Sequence, residues 1–118
     1  MTVATFSSIT IDANDAERLA DFWSAVLGTQ RSVEVDDGRF IFLDGRDGLP
    51  VVCIQRVPEP KVGKTRIHLD LAVEDLVAAT ERIVALGGAW DGHDLELESF
   101  RWRTMTDPEG TEFDIVLE

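Results

Sequence analysis

Residues 68–75 read His68-Leu69-Asp70-Leu71-Ala72-Val73-Glu74-Asp75, and residues 8–15 read Ser8-Ile9-Thr10-Ile11-Asp12-Ala13-Asn14-Asp15. Laid over one another at an offset of about 60, Ile9 falls on Leu69, Ile11 on Leu71, Asp15 on Asp75 and Ser8 on His68, and further along Leu27-Gly28 falls on Leu86-Gly87. Both stretches alternate apolar with polar residues, the period of a half-buried strand, and both lead into helical spacing. A chain of 118 residues has the length of one domain. The repeat therefore divides a single domain into two modules, about 1–57 and about 66–118, joined by a linker at 58–65. Two copies are too few for a solenoid, so the modules are expected to pack against each other.

Working outward, the first strand runs over Thr5 to Asp12, and Asn14 with Glu17 forms a capping box before a helix that buries Leu19, Ala20 and Trp23 and stops at Gly28. Apolar runs near Ser32–Val35, at Phe40–Leu43 and at Val51–Ile54 form a three-stranded meander, with a turn at Asp44–Gly48. Pro58, Pro60 and Gly63 break the pattern at mid-chain. A strand at Arg66–Val73, a helix at Asp75–Leu86 and strands near Ala89–Asp91, Phe100–Thr106 and Glu112–Leu117 then follow, the last two joined by the turn Asp107-Pro108-Glu109-Gly110. Each module reads βαβββ, an α+β fold.

Twenty-three acidic against 11 basic residues give a net charge of -12, which repels nucleic acid and anionic membranes and favours a neutral or cationic small molecule. Cys53 is the sole cysteine and lies in an apolar run, so it reads as a small buried hydrophobe in a reducing compartment. The amino terminus shows no export signal and no stretch has the length of a membrane span, pointing to the cytoplasm. Glycine-rich phosphate loops, nucleophile elbows and paired-cysteine zinc motifs are missing from the sequence.

Alternation puts Ile67, Leu69, Leu71 and Val73 toward the helices and Arg66, His68 and Asp70 on the other face. The same reading puts Asp114 and Glu112 on that second face of the last strand. An imidazole and a carboxylate from two strands are either part of a divalent metal site or a base with its orienting partner, and Glu112 is the best third ligand. Phe100 and Trp102 alternate with Arg101 and Arg103, which makes them either a pocket wall beside cationic groups or core aromatics beside solvated arginines. His93 reads as a loop residue.

These stretches together resemble the vicinal oxygen chelate superfamily, and within it the glyoxalase-like and bleomycin-resistance-like domains. The residues that carry the resemblance are Ser8–Ile11, Asp15, Phe22-Trp23 to Leu27-Gly28, Pro58–Lys61, Arg66–Leu71 and Asp107–Phe113. The resemblance implies two tandem βαβββ modules forming a cupped, incomplete mixed β-barrel with helices outside, often dimeric, and a ligand or divalent metal on the concave side. The family's four metal positions correspond here to Ser8, Val52, His68 and Asp114, of which the last two are ligands in kind. The expectation is a single glyoxalase-like domain, a homodimer, that binds a small organic molecule through Ser8, Asp70, Phe100 and Trp102 beside a degenerate metal site of His68, Asp114 and Glu112. A cofactor is not required by that reading. The alternative is a lyase, isomerase or dioxygenase that uses one divalent ion (Zn, Ni, Mn or Fe) and a substrate with vicinal oxygens.

Overall fold

In the computed structural model, which describes every residue except Met1, Thr5, Arg46 and Asp47, the chain divides into two compact units, Met1–Pro60 and Lys61–Glu118. Residues 58–60 of the expected linker thus belong to the first unit and 61–65 to the second.

Alternation carries Ser8–Ala13 into β1, with Ile9, Ile11 and Ala13 on the inner side. The strand begins later than expected, and Phe6 is 77% exposed. Helix α1 spans Ala16–Leu27 and ends on Gly28 in the left-handed conformation (φ 67°), as the sequence predicts. Its cap is Asp15, whose carboxylate accepts from the Arg18 N–H. Asn14, expected in that role, instead donates through Nδ2 to the Val57 and Glu59 carbonyls, each at 2.9 Å, because the segment after Arg56 brings those carbonyls beside it. Strands β2 (Arg31–Val35), β3 (Phe40–Leu43) and β4 (Val51–Arg56) form the meander, and the sheet order is β1-β4-β3-β2 with β1 parallel to β4. The expected turn at 44–48 falls partly outside the described residues. Leu19, Phe22 and Trp23 of α1 are buried, as are Ile41, Leu43, Val52 and Ile54 of the strands it packs on. At the helix end, Arg31 reaches Glu17, Asp21 and Glu34, and the Glu17 carboxylate is the main cause of its raised pKa.

The second unit repeats the design. Strand β5 (Asp70–Val73) is parallel to β9 (Glu112–Leu117), helix α2 (Leu76–Ala85) is capped by Asp75, and β6 (Ala89–Trp90), β7 (Leu95–Leu97) and β8 (Phe100–Thr106) lie between. The sheet order is β5-β9-β8-β6, with β7 paired to β8. Its core is Leu76, Ile83, Met105, Phe113 and Ile115.

At two places the structure differs from the sequence expectation. The strand expected over Arg66–Val73 pairs only from Asp70, because the chain before it bends to bring Thr65 onto the Glu112 side chain. Ile67, assigned to the helix-facing side, is accordingly 85% exposed. Arg103, read as either a cationic group beside a pocket wall or a solvated arginine, is 8% exposed on the helix-facing side with Met105. Its guanidinium stacks on the Trp90 ring at 3.9 Å and donates to Asp94 Oδ1 (2.6 Å) and Thr80 Oγ1 (2.9 Å), which satisfies the buried charge.

Truncating Ile115 to Ala, at full burial, is expected to cost about 2 to 5 kcal/mol in urea unfolding. Ile67→Ala, on an open surface, is expected to cost less than about 0.5 kcal/mol.

Candidate functional site

Residues paired across adjacent strands project to the same side of a sheet, so the register of the second unit defines what each face carries. On the face away from the core, Asp70 pairs with Asp114 and Asp114 with Thr104, giving one polar row. The next row along is Ala72, Val116, Trp102 and Leu95, and beyond it Leu97 pairs with Phe100. One face therefore grades from carboxylates to an apolar, aromatic surface, with Leu97 64% and Phe100 59% exposed.

His68 stands just before β5 at the polar end. Its Nε2 is 3.1 Å from Asp70 Oδ1 and 3.3 Å from Asp114 Oδ2. Thr104 Oγ1 donates to the other oxygen of Asp114 at 2.7 Å and so fixes which oxygen faces the imidazole. Ligand atoms of all three residues lie within 4.8 Å of one another. One imidazole nitrogen and two carboxylates form a donor set suited to zinc, manganese, iron or nickel, and exposure on one side leaves room for further ligands. The two carboxylates also offer acceptor oxygens to a cationic or hydrogen-bond-donating group.

Of the residues singled out in the sequence, His68, Asp70 and Asp114 come together, and Asp70 enters the group as a candidate metal ligand. Glu112 does not join them. Its carboxylate accepts from Thr65 N (3.0 Å), Thr65 Oγ1 (2.5 Å) and Lys61 Nζ (2.9 Å), and these donors, the Thr65 hydroxyl first, hold its pKa down to about 2. Phe100 and Trp102 lie on the same face, in the rows beyond the carboxylates. Ser8 opens β1 in the first unit, exposed and opposite Val51.

The first unit's own version of the Asp114 position is Cys53, not the Val52 that the resemblance assigns. Thr10 pairs with Cys53 as Asp70 pairs with Asp114, while Val52 pairs with Ile9 and Leu43 and is buried. Cys53 is 3% exposed, as expected of a buried hydrophobe, and burial pushes its thiol pKa up. The first unit thus holds neither an imidazole nor a carboxylate at the two places where the second holds His68 and Asp114. His93 lies in an exposed loop against Asp91.

Comparison with known proteins places this geometry in a family. The model of the glyoxalase-like domain matches residues 8–116, and the chain belongs to that family. Among solved structures, the chain is similar to a member of the glyoxalase/bleomycin resistance protein/dioxygenase superfamily from Sphaerobacter thermophilus (22% identity, 98% of each chain, TM-score 0.73). It is also similar to a glyoxalase/bleomycin resistance protein/dioxygenase from Nocardioides (16% identity, 99% of this chain and 85% of that one, TM-score 0.76). A third similar structure is a lactoylglutathione lyase from Agrobacterium tumefaciens (15% identity, 98% of this chain and 95% of that one, TM-score 0.68). A search of curated proteins gave no match. At these identities the structures establish the fold, which is the α+β class of the glyoxalase/bleomycin resistance/dioxygenase superfamily expected from the sequence.

Because the Glu112 pKa is depressed, its contribution to stability is fully present above its ordinary value of 4.5 and is lost as pH falls toward about 2. Glu112→Gln is expected to remove that contribution and flatten the acid limb of a stability-against-pH curve between those limits, while leaving metal or ligand titrations at His68 unchanged.

Proposed function

We propose that this glyoxalase-like protein binds a small organic molecule in a concave pocket walled by the face of the second unit's sheet that lies away from its core, beside a degenerate metal site. The observation that carries this reading is the single face on which His68, Asp70 and Asp114 lead directly into Trp102 and Phe100. The two carboxylates hold a positively charged or hydrogen-bond-donating group of the ligand, and the aromatic rows take its flat apolar body. An acidic chain with net charge -12 draws such a ligand in. Membership of the family supports a small-molecule ligand and a homodimer. A single buried cysteine supports the cytoplasm. Among the described residues no helix is long and apolar enough to cross a membrane.

The three ligand atoms within 4.8 Å favour a second reading, a divalent-metal-dependent lyase, isomerase or dioxygenase. A bound divalent ion would polarise adjacent substrate oxygens and stabilise enolate-like charge. His68, Asp70 and Asp114 would hold it, with Thr104 keeping Asp114 in orientation.

Two measurements separate the readings. The first is metal content by mass spectrometry after incubation with zinc, nickel, manganese or iron and dialysis. The second is thermal stabilisation by benzyltrimethylammonium, a cationic aromatic probe. The binding-protein reading predicts stabilisation that is lost in Asp70→Asn and Asp114→Asn and kept in Glu96→Gln, with no retained metal. Near-stoichiometric metal that disappears in His68→Ala establishes the second reading instead. Neither metal retention nor probe stabilisation contradicts both.

A further inference from the structure

A second site, in the first unit and sharing no residue with the His68 group, emerges from the pairing of β3 with β4. Phe40 lies opposite Gln55 and Ile41 opposite Ile54 in this antiparallel pair. The same register carried one step further sets Arg39 opposite Arg56, and a 2.8 Å bond from Arg56 N to the Arg39 carbonyl joins them. Like charges directly opposite one another destabilise a strand pair unless something neutralises them. Among the described residues Arg39 forms one ion pair, with Asp36 at 3.6 Å and half exposed to solvent. Arg39 otherwise stacks on the Phe40 ring at 5.2 Å. Among the described residues, the Arg56 guanidinium has no ion-pair partner.

Both arginines line a recess of about 680 Å³, together with Asn14, Gln55, Val57, Pro58 and Glu59. Its frame is fixed without any ligand. Val57 N donates to the Ala13 carbonyl at 2.9 Å, and the Asn14 amide clamps the Val57 and Glu59 carbonyls. Residues directly opposite one another on paired strands project to the same side, so both arginines are presented to this recess. Guanidinium groups match carboxylate and phosphate oxygens in pairs of parallel hydrogen bonds. Val57 and Pro58 add apolar wall, and Glu59 disfavours a polyanion.

We propose that this recess binds a small organic molecule bearing one oxyanion, a carboxylate or a phosphate monoester, whose oxygens bridge Arg39 and Arg56. The bound anion gives Arg56 the counter-charge it otherwise lacks among the described residues, so binding and local stability are coupled.

The test uses the full chain and two probes, propionate and inorganic phosphate, each titrated at ionic strength held constant with sodium chloride. Calorimetry and the NMR signals of residues 55–59 and of the arginine Nε–H groups follow binding. Saturable binding of at least one probe is expected, weakened about tenfold or more in Arg56→Gln and in Arg39→Gln and unchanged in Arg101→Gln. Saturation by propionate alone assigns a carboxylate, and by phosphate alone a phosphate monoester. In the same chloride buffer without either probe Arg56→Gln should melt no lower than the parent, and its melting temperature should no longer rise with the probe. Absence of saturation with both probes, or unchanged binding in both variants, overturns the proposal.

Discussion

Parallel pairing of the first and last strand of each module is the constraint from which the rest follows. Two parallel strands cannot be joined by a tight turn, so everything between them must be long enough to cross over. In the first module α1 and the β2–β3 hairpin fill that interval, and in the second α2, β6, β7 and β8 do so. The same pairing sets Asp70 against Asp114 and Thr10 against Cys53 at the same step of the two ladders. Chemistry at those positions is therefore inherited from register, and the two modules use it differently. One buries a thiol and the other presents carboxylates to an imidazole.

The face of the second sheet away from its core illustrates how a strand register makes a site from residues 44 positions apart, as with Asp70 and Asp114. Among the described residues neither carboxylate is held by a basic side chain other than His68, whereas Glu112, two residues from Asp114, is engaged by Lys61 and Thr65. That division of labour separates a binding role from a structural one. Glu112 ties the segment before β5 to β9 and leaves His68 standing at the strand's edge with two acceptors.

Much of this was legible in the sequence, because alternation and cap residues are local signals. The helices at Ala16–Leu27 and Leu76–Ala85, the repeat, and the meeting of His68 with Asp114 all follow from spacing. What escaped depends on partners far along the chain. Asn14 and Asp15 are equally good caps, and only the arrival of the Val57 and Glu59 carbonyls decides that Asn14 is used elsewhere. Arg103 and Trp102 sit on opposite sides of one strand, and both are large. Nothing short of Trp90, Thr80 and Asp94 in place around the guanidinium reveals that the arginine faces inward. The Cys53 counterpart of Asp114 lies one residue from the expected Val52, since the repeat offset varies along the chain and only the ladder register fixes it.

The most direct test of the central claim is to find where on this acidic protein a cation settles. Substoichiometric Mn²⁺ added to ¹⁵N-labelled protein broadens the amide signals nearest the bound ion. The account predicts broadening centred on His68, Asp70 and Asp114, with Glu17, Asp21 and Glu34 unaffected because Arg31 already pairs with them. Broadening centred on another acidic cluster, or spread evenly over the 23 carboxylates, would contradict it.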